Sequence, residues 1–249
     1  MAFLKVLLLL GLGVSVNSAV SLQKRIIGGH DCADTERRYH VRLRRINGEI
    51  ITVCGGSLIH PQWILTAADC WESSPGINEV IVKVHPRANE ENTHIIRQDP
   101  EVYVDQGQKH NIMLLKLPRP VTDVPLARLP DCSKRPKVGD IVQLGGEGIT
   151  TIGPNNRRLH IGFAAKHLQC VDMKVVQVSQ FRPRDGYIFR TAEPNTDACY
   201  SDIGGAVVFN GMIYGVITVD RSHFACKKPV SVIDVCEYIG WIKTKTRAK

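Results

Sequence analysis

Eight cysteines in a chain of 249 residues constrain the fold most, because of what stands in front of them. The chain opens MAFLKVLLLLGLGVSVNSA, with one lysine, a short apolar run and then small side chains. That order reads as a secretory signal over residues 1–18, too short and too weakly flanked to cross a bilayer. No later segment is long and apolar enough for a span, so a secreted, extracellular chain is expected. Such a chain oxidises its thiols, and an even number of cysteines then reads as four disulfides. Spacing alone leaves their connectivity open. No CxxC or HExxH spacing occurs, so neither a metal site nor another cofactor is expected.

Bridged exported chains of this size suit short strands. HVRLR (40–44), EVIVKV (79–84), IMLLKL (112–117), DIVQL (140–144), YIFRTA (187–192) and MIYGVITV (212–219) recur between turn signals, several alternating apolar and polar residues. Only the end reads as helix. Val235, Tyr238, Ile239 and Ile242 follow the helical period, and Lys243, Lys245 and Arg247 sit where a helix C-terminus favours cations. PDCSKRPKVGD (130–140) reads as a linker between two β halves.

Four separated segments, KRIIGGHDC (24–32), ILTAADC (64–70), HNIMLLKL (110–117) and DACYSDIGGAVV (197–208), resemble the trypsin-like serine proteases, in the right order. VCEYIGWIKTKT (235–246) is similar to that family's closing helix. The resemblance implies an all-β fold: two six-stranded antiparallel Greek-key barrels with a C-terminal α-helix and the cleft between them. It divides the chain into a signal peptide (1–18), a propeptide (19–25) and a protease domain (26–249), with the barrel boundary near 130–140. It also implies the cysteine pairing: Cys32–Cys170, Cys54–Cys70, Cys132–Cys236 and Cys199–Cys226. Two bridges usual in trypsins are missing by this resemblance; in one of them both cysteines are replaced by apolar residues, Val142 and Phe209, and a buried contact between these two is expected to keep part of the core.

The residues that would carry the chemistry depart from the pattern. Acyl transfer needs a hydroxyl to attack, an imidazole to take its proton and a carboxylate to orient the imidazole. The base position holds Asp69, and an ordinary carboxylate, with a pKa of about 4, is a poor acceptor for a serine proton. The orienting position holds uncharged Asn111, and the nucleophile position holds Ile203, which has no lone pair. Ser201 replaces the glycine whose N–H forms half of the oxyanion hole. The scattered His40, His60, His110 and His223 read as structural or surface histidines.

Other machinery persists. QKR before IIGG is similar to a zymogen cleavage site after Arg25, and the resemblance implies that a freed Ile26 ammonium pairs with Asp202. Asp197 stands where trypsins hold the carboxylate that binds Arg or Lys. Its walls have changed to Val219, Asp220 and Val230, so it is either a plugged structural carboxylate or an accessible cationic site. Removing residues 1–25 takes away three cations and no acid, lowering the formal charge from +8 to +5. Basic runs such as RRYHVRLRR (37–45) read as a solvated strand face or, more sharply, as a heparin-like polyanion site. Without interleaved aromatics, nucleic acid is not expected. The expected function is a catalytically inactive homologue that binds a protein partner, a protease inhibitor or a polyanion. Its rival is an active secreted endopeptidase of trypsin-like type.

Overall fold

The computed structural model describes residues 29–73, 76–86, 92–148, 167–194, 198, 202–218 and 229–247. The chain enters through the short strand β1 (His30–Asp31). It then lays down β2 (His40–Asn47), β3 (Ile50–His60), β4 (Trp63–Thr66), β5 (Ile77–Ile81), β6 (Thr93–Ile96), β7 (Glu101–Asp105) and β8 (Gln108–Lys116). These seven form one antiparallel sheet in the order β6-β5-β2-β3-β4-β8-β7. Alternation sets its faces: Val41 and Leu43 of β2 point inward, while Arg42 and Arg44 point outward. Strand β8 departs from alternation because both its faces are covered, so Ile112, Met113, Leu114 and Leu115 are all buried.

The second half follows the long connection after β8. It comprises β9 (Ile141–Gly146), β10 (Gln169–Arg182), β11 (Gly186–Ala192), β12 (Ala206–Phe209), β13 (Met212–Thr218) and β14 (Val230–Asp234). They pair in the order β10-β11-β14-β13-β12-β9, and β9 pairs back onto β10, closing a six-stranded barrel to which β1 adds an edge. Asn210 and Gly211, at φ 48° and 72°, make the β12–β13 turn. Two consecutive left-handed residues match the strand twist there, which is why Asn-Gly suits the site. A 3-10 turn (Val235–Tyr238) capped by Asp234 then leads into α1 (Ile239–Thr246), so the helical pattern begins one turn later than its period suggests.

Two β units with one C-terminal helix are what the sequence leads one to expect. The N-terminal unit, however, is a curled seven-stranded sheet with no ladder joining its end strands β6 and β7 among the described residues. Those strands are short and follow each other through residues 97–100, where Pro100 has no N–H to extend a ladder.

Cys32–Cys170, Cys54–Cys70 and Cys132–Cys236 are closed; Cys199 and Cys226 lie outside the described residues. One apolar cluster fills the N-terminal sheet and continues through the seam to Ile203, Tyr238 and Ile242; a second fills the closed barrel. Val142 is fully buried in the second cluster. Phe209 packs against the same cluster from the rim, half-buried and edge-on to Tyr214. Val142 and Phe209 thus share one apolar cluster, the first inside it and the second at its rim.

Candidate functional site

The seam between the two units carries the residues singled out above. Strand β4 ends at Thr66, and a single 3-10 turn, Ala68–Cys70, follows, pinned by the Cys54–Cys70 bridge. Asp69 sits in that turn. Opposite it, Asn111 of β8 is buried, its N–H donating to the Asp185 carbonyl at 3.1 Å.

The two side chains bind each other reciprocally. Asp69 N–H donates to Asn111 Oδ1 at 2.8 Å, and Asn111 Nδ2 donates to Asp69 Oδ2 at 2.8 Å. The second Nδ2 proton goes to Thr218 Oγ1 at 2.9 Å. An amide is the group that can accept on one side and donate twice on the other; a carboxylate at 111 has no proton to give. Asn111 is matched to an aspartate opposite it.

Ile203 closes the floor. It is 8 % exposed, its side chain lies in the apolar cluster of the seam, and its carbonyl accepts Gly55 N–H at 2.7 Å. Gly204 follows at φ 82°, and a Cβ there would collide with Gly55 O and Thr66 Oγ1, so only glycine turns the chain here. Fully buried Asp202 accepts Gly148 N–H at 2.8 Å through Oδ1. Val230 lies in the interior of the closed barrel beside Ala198 and Ile217. Arg25, Ile26, Asp197, Ser201, Val219 and Asp220 lie outside the described residues.

Of the histidines singled out, His223 lies outside the described residues and His60 Nδ1 accepts Gln62 N–H at 3.3 Å. His110 Nδ1 is 2.9 Å from Tyr238 Oη, and burial pushes its pKa down. His40 is buried with no partner for Nε2; burial outweighs the nearby Glu147 carboxylate and pulls its pKa to about 4. A groove of about 430 Å³ opens beside the Asp69–Asn111 pair, bordered by Trp71, Lys109, His110 and Arg184. Among the described residues, no cluster of three or more His, Cys, Asp or Glu is placed to hold a metal. None of their helices is long and apolar enough to cross a membrane.

Four of the five arginines in the basic run 37–45 are engaged within the fold, while Arg38 is exposed. Buried Arg37 donates to Ala206 O at 2.9 Å and Gln143 O at 2.7 Å. Arg42 binds Glu147, Arg44 binds Glu79 and Arg45 binds Glu72. The acids that spend these cations were not singled out from sequence, and nor was Thr218. A glutamate between glycines at the end of an apolar strand, GGEG (145–148), was the available signal for Glu147.

The Trypsin family model matches residues 26–242. Serine protease 1 of Rattus norvegicus is 28% identical over 261 residues, covering 95% of this chain and 96% of its own. Trypsin V-B of Rattus norvegicus is 28% identical over 245 residues, covering 90% of each. Among solved structures, GrC superposes with a TM-score of 0.70 at 22% identity, over 90% of this chain and 100% of its own. Neuropsin, a serine protease expressed in the limbic system of mouse brain, gives 0.68 at 23% identity, over 88% and 99%.

Proposed function

This chain belongs to the trypsin family, whose model spans residues 26–242, and from that premise we propose that it is a secreted member without peptidase activity, working as a binding scaffold. The observation that supports this most is the reciprocal Asp69–Asn111 pair beside a buried isoleucine. Peptide hydrolysis needs a nucleophile with a lone pair and a base to take its proton. Ile203 offers no lone pair. At the base position, Asp69 is tied to Asn111, which carries no charge to orient an imidazole. Loss of one triad member alone lowers turnover by about 10⁴- to 10⁶-fold.

The proposal extends to the N-terminus. Cleavage after Arg25 would free the Ile26 ammonium, and the buried carboxylate of Asp202, next to the cleft floor, is the acid that would receive it. N-terminal sequencing of the secreted protein tests this; a mature chain beginning upstream of Ile26 rejects it. The interior position of Val230 favours a plugged Asp197 over an open cationic pocket, and benzamidine titration reads the difference. For the partner, a protein or protease inhibitor is favoured over a polyanion, because four of the five arginines of 37–45 are paired with internal acceptors. Heparin retention that falls steeply with salt would reverse that preference.

The deciding experiment treats the Arg25-cleaved protein with a serine-directed phosphonate and with Arg and Lys ester substrates. No labelling and no turnover above a denatured control are expected. Labelling at any hydroxyl would establish the rival reading, an active secreted endopeptidase.

A further inference from the structure

Strand β10 runs past the strand beside it. On one edge it pairs with β1 and then, from Lys174 to Arg182, with β11. On the other edge β9 covers only Gln169 to Lys174, and Val175 exchanges main-chain bonds with Gly139 and Asp140. There the chain leading into β9 turns away, with Gly139 at φ 95° and Asp140 N–H bonded to Lys137 O. Beyond that turn, residues 176–181 have no main-chain partner on this edge among the described residues. They read VQVSQF, without a charge or a proline, and Val176 and Val178 are 46% and 50% exposed. Sheets ordinarily blunt an open edge with lysine, proline or a covering segment. This edge shows register shifts toward β11 but neither a lysine nor a proline of its own. A groove of about 760 Å³ lies beside Val178 and Ser179, with the rings of Phe189 and Phe209 among its walls. Its far side is residues 132–137, fixed by the Cys132–Cys236 bridge and by Arg135, whose Nη1 lies 3.1 Å from Asp234 Oδ2 and 2.5 Å from Glu237 Oε1.

We propose that this groove takes one extended peptide segment, which adds to the edge of β10 as a further strand. An open ladder edge presents N–H donors and C=O acceptors in turn, and an extended main chain is the ligand that matches both. The volume lies within the roughly 300–1,000 Å³ of ligand sites. Charge narrows the choice of segment. Lys134, Arg135 and Lys137 in the walls are met by Asp140, Asp234 and Glu237, and the Lys134 ammonium is 3.7 Å from Asp131. No excess cation is left for an acidic segment, so uncharged aliphatic side chains fit best against the two phenylalanine rings. The fixed far side excludes a second copy, whose strand would arrive with its own sheet behind it. This inference rests on the binding-scaffold reading and deepens it: the partner is a protein that offers an exposed, uncharged, extended segment.

The probe is an end-capped peptide of alternating valine and serine, titrated into the isotope-labelled mature chain. Amide shifts and slowed hydrogen exchange at residues 176–181 are expected, with affinity constant within about twofold between about 0.05 and 0.5 M salt. The same peptide N-methylated at alternate residues should not bind, because it cannot complete the ladder. Val178→Lys, at an exposed position, should weaken binding at least about tenfold while the unfolding midpoint stays unchanged. No response at 176–181 up to about 1 mM peptide overturns the proposal, as does equal binding of the N-methylated peptide. A dimer that forms without peptide and is lost in Val178→Lys also overturns it, since a second copy then occupies the edge. Phosphonate labelling bears on the scaffold reading alone, so a peptide that fails on a chain resistant to the phosphonate sinks only the groove.

Discussion

Arg42 and Glu147 form a bidentate ion pair across the seam of the molecule. Nε lies 2.5 Å from Oε2 and Nη2 lies 2.8 Å from Oε1, with side chains only 11% and 4% exposed. Arg42 comes from β2 of the N-terminal sheet, and Glu147 directly follows β9 of the closed barrel. With Arg37 reaching Gln143 and Ala206, two guanidinium groups tie the two units together. Such a pair is expensive to desolvate, so its geometry matters more than its count.

Breaking one side of this pair should therefore cost more than removing both. Glu147→Leu or Arg42→Met leaves an uncompensated buried partner and is expected to destabilise by about 3–5 kcal/mol. The double variant Arg42→Met with Glu147→Leu should recover most of that. Urea unfolding of all four proteins measures the coupling. Additive single effects would mean that the pair is solvated and contributes little.

Acid should loosen the same seam. His40 lies between Arg37, Arg42, Glu147 and His85, and its burial holds its pKa at about 4, against about 6.5 for an unfolded histidine. The unfolded chain binds a proton between those values that the folded chain refuses. Stability from this group is thus complete above about pH 6.5 and declines as pH falls toward 4, with a total loss of about 3 kcal/mol and no further loss below. A His40→Gln variant should show a flatter stability profile over that window. An unchanged slope would place the titration elsewhere.

The Asp69–Asn111 pair makes a sharp prediction about restoring charge. Asn111→Asp removes the donors to Asp69 and Thr218 and sets two carboxylates face to face. It should destabilise by about 2–3 kcal/mol near neutral pH. The deficit should shrink at pH 4–5, where the two carboxyls can share a proton. Combining it with Asp69→Asn, which exchanges the partners, should return part of the stability at neutral pH. Thermal unfolding at two pH values checks both statements.

What could be read from sequence follows from how local each signal is. Strands β2, β5, β8, β9, β11 and β13 were visible because alternation or a bounded apolar run is written in consecutive residues. Strand β10 was not singled out, although it is the longest and VDMKV (171–175) alternates; past Val175 both the alternation and the pairing register slip. The degenerate positions 69, 111 and 203 were legible as residue types, since the motifs around them are contiguous. Their mutual satisfaction was not, because Asp69, Asn111 and Thr218 are brought together only by the fold. The pairing of strand arginines with Glu72, Glu79 and Glu147 is equally non-local. A run such as RRYHVRLRR looks solvated until its acids are placed.

The floor of the cleft permits the most direct separation of packing from chemistry. Ile203 packs into the apolar cluster of the seam while its carbonyl accepts from Gly55. Ile203→Ala and Ile203→Ser both empty the same volume and should each destabilise by about 2–4 kcal/mol. The serine variant alone supplies a hydroxyl, yet the base position carries no imidazole, because Asp69 occupies it and is held by Asn111. Neither variant is therefore expected to react with a serine-directed phosphonate, and the two should be indistinguishable in substrate turnover. Labelling of Ile203→Ser but not of Ile203→Ala would show that a proton acceptor stands within reach of residue 203 after all, and would remove the physical basis for an inactive cleft.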